Sequence, residues 1–216
     1  MDRFNFASNI NSNNTETKMT TKSKTLILGS GISGVGVAKL AQKKGLDIFL
    51  SDSKNIKPET KEILSDLGVM YEESGHTENL IKDSNEIVIS PGIDLKSLIK
   101  SKPSLQSKNV ISEIEFASRY TNAFIIAVTG TNGKTTTSKL IYHILKNSGF
   151  NVGLAGNIGY SFSGSIAENQ FDYYVVEVSS FQLDHILNFR PDISVITNIT
   201  PDHLDRYDHK LENYIN

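Results

Sequence analysis

The sequence predicts an α/β protein made of two consecutive parallel-sheet units, and three observations carry that expectation. Short apolar runs of strand length alternate with segments whose apolar residues recur at helical spacing, the pattern of parallel strands covered by helices on both faces. A glycine-rich turn, Gly29-Ser30-Gly31-Ile32-Ser33-Gly34, follows the first apolar run. A second, Gly130-Thr131-Asn132-Gly133-Lys134-Thr135-Thr136-Thr137, lies between the apolar run Phe124–Val128 and a helical pattern. The first unit reads as a Rossmann-like parallel sheet domain, and the second as an incomplete P-loop-type α/β ATPase domain.

Residues 1–22 are rich in Asn, Ser and Thr and lack the apolar centre of a secretion signal, so they are expected to form a disordered tail, with Met19 as an alternative start. In the first unit, 23–120, strands are expected at Thr25–Leu28, Ile48–Leu50, Val69–Tyr71, Ile87–Ile89 and Val110–Ile111. Helices are marked by Val35, Ala38, Leu40 and Ala41, by Ile63, Leu64 and Leu67 before Gly68, and by Glu113 to Tyr120, with Thr121-Asn122 as linker. The second unit, 121–216, should have core strands Phe124–Val128, Tyr173–Val178 and Ile193–Thr197. Its helix Thr135–Asn147 carries Leu140, Ile141, Ile144 and Leu145 on one face. Gly153 to Gly159 reads as a tight glycine-flanked turn holding one polar side chain, Asn157. The pattern Leu211–Ile215 is a helix without a stop signal, and a sheet of three or four strands leaves an exposed edge, so a fragment or split product is expected.

Composition narrows the function. The chain has 216 residues, 38% hydrophobic and 21% charged, as in soluble globular proteins. A net charge of −2 argues against sequence-independent binding of nucleic acid, and no apolar run approaches the length of a membrane span. Cysteine is absent, which removes disulfides and thiolate metal sites and fits the cytoplasm.

The second glycine-rich loop is the strongest chemical signal. Its glycines let backbone amides approach phosphates, and the helix start adds partial positive charge. Lys134 suits the outer phosphates, and the Thr135 hydroxyl suits a magnesium ion. A strict G-x-x-x-x-G-K-[ST] loop has glycine at 128, where this chain has Val128. The first loop, with Asp52 closing the next strand, admits a diphosphate-bearing nucleotide and does not by itself identify a hydride acceptor. Ser90-Pro91-Gly92 follows a strand at the ligand-binding end of the sheet, although the tripeptide is also a plain turn. Glu177, at the end of Tyr173–Val176, suits a magnesium ligand or a water positioner, and a solvated strand end is its plainer reading. His203, between Asp202 and Asp205, either binds a metal or caps a turn. His76, His143, His185 and His209 read as surface or packing residues, and no G-x-S-x-G elbow surrounds Ser179 or Ser180.

Taken together, Gly130–Thr137, Gly156-Asn157-Ile158-Gly159, Glu177–Leu183 and Asn198–Tyr207 resemble the Mur ligases, which build the peptide of bacterial cell-wall precursors. Phe181-Gln182-Leu183 is nearest to the D-glutamate-adding branch. The resemblance implies that the first domain holds the UDP end of a substrate. It puts Ile32 and Ser33 at the diphosphate, Asp52, Ser53 and Lys54 near the uridine, Ser90, Pro91 and Gly92 along the same groove, and Asn157 at the sugar. It further implies ATP and Mg²⁺ as cofactors. Gly130, Thr131, Asn132, Gly133, Lys134, Thr135 and Thr136 would surround ATP, Thr135 and Glu177 would bind magnesium, and His203 would sit at a second metal. Lys134, Glu177 and His203 form the implied catalytic set. The implied reaction joins D-glutamate to UDP-N-acetylmuramoyl-L-alanine through an acyl phosphate, by a cytoplasmic monomer with no nucleic-acid or membrane partner. A carbamylated lysine and a third domain are expected beyond Asn216, so residues 1–216 alone should be inactive. Three other readings stay open: a module that binds UDP-sugar or ATP without catalysis, another ligase of the same type, and an NAD-dependent oxidoreductase resting on Gly29–Gly34 alone.

Overall fold

The computed structural model describes residues 24–215, so the expected tail at 1–22 lies outside the described residues. In chain order the elements are β1 (Lys24–Leu28), α1 (Ile32–Lys43), β2 (Asp47–Ser51), α2 (Pro58–Asp66), β3 (Met70–Glu72), α3 (Glu78–Asp83), β4 (Glu86–Ile89), α4 (Leu95–Ser101), β5 (Asn109–Ser112) and α5 (Glu113–Ser118). There follow β6 (Phe124–Thr129), α6 (Lys134–Asn147), β7 (Val152–Gly156), α7 (Phe162–Glu168), β8 (Tyr173–Glu177), α8 (Ser180–Leu183), β9 (Ile193–Ile196) and α9 (Leu211–Ile215).

The strands form two sheets, β3-β2-β1-β4-β5 and β7-β8-β6-β9, parallel throughout. The α/β architecture expected from alternating strands and helices is therefore present, and the first sheet has the Rossmann strand order. In both sheets the order reverses beside the first strand, which opens a crevice at the carboxyl ends of β1 and β6.

Burial follows the two-residue period of the strands. Leu26 and Leu28 join Ile81, Ile87, Ile89 and Leu105 on one face of the first sheet. Ile27 faces the other way into a cluster with Val37, Leu40, Val88 and Ile111. That cluster continues without a break into Ala127, Phe162, Tyr174 and Val176 of the second sheet. The two units thus share a core. α1 and α5 pack on α7, and the Ser112 amide donates to the His185 carbonyl at 2.8 Å. Glu115, on α5, accepts from the amides of Leu187, Asn188 and Phe189 at 2.8–3.0 Å.

Three expectations are corrected. The stretch from Gly153, read as a turn, is mostly strand β7, and α7 was not foreseen. β7 holds two glycines in five residues and has weak intrinsic strand preference; its pairing with β8 from Val152–Tyr173 to Gly156–Glu177 supplies what propensity does not. α7 contains two serines and a glycine, and it is stabilised by burial and by Ser161, whose hydroxyl caps it by accepting from the Gly164 amide at 3.0 Å. On α6, Ile141 and Leu145 pack on Val128, Val152 and Val175, whereas Leu140 and Ile144 are more than half exposed. The apolar stripe of α6 is wider than the sheet area beneath it.

Candidate active site

The phosphate-type loop hangs between β6 and α6. Val128, where a strict motif has glycine, is fully buried inside β6, opposite Glu177 of β8. The turn begins two residues later. Gly130 has φ +127°, and a Cβ there would lie 2.2 Å from Thr197 Oγ1 and 2.8 Å from the Asn198 carbonyl oxygen. Both backbone conformation and space therefore require glycine at 130.

The segment after β9 holds the loop in shape. The Thr131 amide donates to the Asn198 carbonyl at 2.9 Å, and the Asn132 amide to Asn198 Oδ1 at 3.0 Å. Thr131 Oγ1 donates to the Thr200 carbonyl at 3.0 Å and lies 2.9 Å from the Tyr214 hydroxyl. The first-turn amides of α6, those of Lys134, Thr135 and Thr136, have no acceptor within the helix. Lys134 Nζ donates to the Gly130 and Thr131 carbonyls at 2.7 and 2.9 Å, leaving a third N–H for an anion.

Glu177 is 2% exposed. A buried carboxylate needs partners. Its Oε2 accepts from the Thr135 hydroxyl at 2.7 Å and its Oε1 from Asn157 Nδ2 at 3.3 Å. The Asn157 amide donates to the Glu177 carbonyl at 2.8 Å, so the end of β7 carries Asn157 to the end of β8. Thr135, Glu177 and Asn157 offer hard oxygen donors of the kind magnesium takes. Among the described residues no group of three His, Cys, Asp or Glu side chains is placed to hold a metal. A cation at Thr135 and Glu177 would thus complete its shell with water and phosphate oxygens, and the residues present fit such an ion.

Above this floor lies a cleft of about 260 Å³. It is lined by Gly130, Lys134 and Asn157, by Pro91 and Gly92 after β4 of the first sheet, by Ser179–Phe181, and by Asp202, His203, Arg206 and Tyr214. His203 is exposed, in a left-handed turn at φ 51°, with Nε2 3.6 Å from Asp202 Oδ2 and its ring 5.1 Å from that of Phe181. Beside Pro91, the Ser90 hydroxyl is buried and without a partner.

A second cavity, of about 470 Å³, lies at the start of α1. Ile32, Asp52 and Lys54 line it, while Ser33 and Ser53 fall outside its lining. Asp52 accepts from the Ser30 amide and hydroxyl at 2.7 and 2.6 Å and from the Lys54 amide at 2.9 Å. Burial pushes this carboxyl up, but the bonds from Ser30 and Lys54, with the charge of His76, outweigh burial and hold it below its ordinary value. His76, read as a surface or packing residue, is 5% exposed and 2.6 Å from Ser51 Oγ, and burial lowers its pKa.

Sequence reading missed the far wall of this cavity. Tyr160, Ser161, Gly164 and Glu168 come from the second unit, and Glu168 accepts from Lys39 of α1 at 2.6 Å and from the Tyr160 hydroxyl. No local pattern signals a contact between residues so far apart in the chain. Arg206 and Tyr214 were missed for the same reason.

The described residues contain no helix long and apolar enough to cross a membrane. Two family models match, the MurD N-terminal domain over residues 24–99 and the Mur ligase middle domain over 128–216. Relatives named UDP-N-acetylmuramoylalanine–D-glutamate ligase include those of Bacteroides fragilis, 55% identical over 88% of this chain, and Bacteroides thetaiotaomicron, 54% identical over 88%. One from Salinibacter ruber is 42% identical over 89%. This chain spans 43% of the length of each of them. Among solved structures, a UDP-N-acetylmuramate:L-alanyl-gamma-D-glutamyl-meso-diaminopimelate ligase from Neisseria meningitides superposes with a TM-score of 0.54 at 20% identity, covering 90% of this chain and 66% of that one, a likeness of fold. The two domain models in tandem, with relatives above half identity along both sheets, show that the chain belongs to the Mur ligase family.

Proposed function

We propose that the protein to which these residues belong is an ATP-dependent ligase that joins D-glutamate to UDP-N-acetylmuramoyl-L-alanine in the cytoplasm, in cell-wall precursor synthesis. One observation carries the reading: Lys134 and Asn157, the latter bonded to Glu177 of the Thr135–Glu177 pair, line a cleft whose opposite lip, Pro91-Gly92, belongs to the sheet that carries the nucleotide-sized cavity. An anionic nucleotide substrate anchored at Ile32, Asp52 and Lys54 can then extend past Asn157 toward the phosphate loop. The relatives' name supports D-glutamate as the added amino acid.

ATP supplies the phosphoryl group that activates the substrate's carboxylate, and Mg²⁺ offsets the charge of the two anions. The chain's own groups have separable tasks. The amides of Lys134–Thr136 and the Lys134 ammonium hold phosphate oxygens in line. Thr135 and Glu177 would hold the cation, and Asn157, which keeps Glu177 oriented, would face the sugar. His203, on the rim of the cleft, would meet a second cation.

The test is Lys134→Ala in the full-length protein, with D-glutamate-dependent ADP release and calorimetry against UDP-N-acetylmuramoyl-L-alanine. Turnover should fall roughly 10²–10³-fold, the scale of losing one preorganised charge contact, with affinity for the UDP-linked substrate within about twofold. Equal loss of both would refute this division of labour. Wild-type protein that binds the UDP-linked substrate but releases no ADP would point to a binding module.

A further inference from the structure

We propose that Arg206 is a positioning residue for this reaction, a strut that holds the first-sheet lip of the cleft against the His203 turn. The proposal rests on the ligase reading above. The guanidinium carbon of Arg206 lies 4.2 Å from the centre of the Phe181 ring, close enough for cation–π stacking. From the same guanidinium, one N–H donates to the Ile93 carbonyl at 3.1 Å. Ile93 closes the turn that begins at Ser90, its amide donating to the Ser90 carbonyl at 3.0 Å. Pulling on Ile93 therefore fixes the backbone of Pro91 and Gly92.

Phe181 is the other end of the strut. Its ring meets His203 at 5.1 Å and lies parallel to Tyr207, 11° between planes and 6.1 Å between centres. The Tyr207 hydroxyl donates to Asp184 at 3.1 Å, and burial above all pushes that hydroxyl's pKa up to about 12, which keeps it a donor. One half-buried side chain thus touches both lips of the cleft. The nearby Lys96–Asp208 pair spans the same seam at 3.2 Å, but both partners are about two-thirds exposed, where such pairs contribute little.

A planar cation is required because one group must stack and donate sideways at once. Lysine can do either but not both with the same geometry. The strut acts on the part of a substrate that reaches the phosphate loop. It does not touch the cavity at Asp52, which is lined by other residues.

The experiment compares wild type, Arg206→Met and Arg206→Lys in the full-length protein. UDP and UDP-N-acetylmuramoyl-L-alanine are the calorimetric probes, alongside steady-state kinetics. In Arg206→Met the KM and Kd for the UDP-linked substrate should rise about tenfold, the combined scale of one cation–π contact and one hydrogen bond. Affinity for UDP and the KM for ATP should stay within about twofold, and Arg206→Lys should fall between wild type and Arg206→Met. An equal loss for UDP and for the UDP-linked substrate would mean general loosening and would overturn the proposal. No change in either, or a lysine variant as weak as methionine, would overturn it as well. A wild type that binds no UDP-linked substrate overturns the ligase reading, and the strut with it.

Discussion

Gly36→Ala sets two physical effects against each other. Gly36 lies inside α1, where alanine is the better helix former by about 1 kcal/mol, so propensity alone predicts a more stable protein. The packing predicts the reverse. A Cβ at 36 would stand 1.9 Å from Ser161 Oγ, 2.9 Å from the Gly164 nitrogen and 3.0 Å from Ser161 Cβ. The Ser161 hydroxyl could rotate away, but it caps α7 at 3.0 Å from the Gly164 amide, and losing a cap costs about 1 kcal/mol. The Gly164 nitrogen is backbone and moves only with α7, so the remaining overlap must open the α1–α7 seam, at about 1–3 kcal/mol for an overpacked site. Cap loss and propensity gain cancel to first order, leaving a net destabilisation of about 1–3 kcal/mol. Urea unfolding of the full-length protein should show a lower midpoint at unchanged slope. A higher midpoint would mean that α1 and α7 are not in close contact, and the shared core described above would be wrong.

Two further outcomes follow from the acids of α5. Glu113 is 1% exposed, accepts from the Ser163 amide with one oxygen and has no partner for the other. Burial, only partly countered by Ser163, raises its pKa from 4.5 to about 7. The folded state then holds a proton that the unfolded chain has released, so this residue's contribution falls as pH rises from about 4.5 to about 7, by roughly 3 kcal/mol in all. Urea midpoints at pH 5 and 7.5 should therefore show Glu113→Gln gaining on wild type as pH rises; a constant gap would show ordinary ionisation of Glu113. Glu115→Gln replaces an acceptor of three amides and of Arg119 by a neutral amide, and should cost about 2–4 kcal/mol. A loss below about 1 kcal/mol in the same urea assay would show that this clasp between the units is weak.

Much of the candidate site's geometry was legible because its residues are local in the chain. Gly130, Lys134 and Thr135 are adjacent, and a phosphate loop announces itself through the turn its glycines permit and the helix that follows. Glu177 could be placed beside it because an acid closing a strand of a parallel sheet falls at the carboxyl edge. Asn157 was noticed, but as part of a turn, since the two glycines of β7 hid the strand that delivers it to Glu177. Ser33 and Ser53 were placed by resemblance at the nucleotide, yet they do not line the cavity that Ile32, Asp52 and Lys54 share.

Sequence alone determined the α/β class, the positions of eight of the nine strands among the described residues to within a residue or two at each end, and the two glycine-rich loops. All of these depend on hydrophobic period and turn chemistry within windows of about ten residues. Tertiary structure alone decided that Pro91-Gly92 shares a cleft with the loop of Gly130 and Lys134, that Tyr160 and Glu168 wall the first cavity, that α7 joins the two cores, and that Arg206 spans the cleft. Each of these is a contact between segments distant in the chain, set by how two sheets bury their remaining apolar faces against each other, and no short-range pattern encodes it.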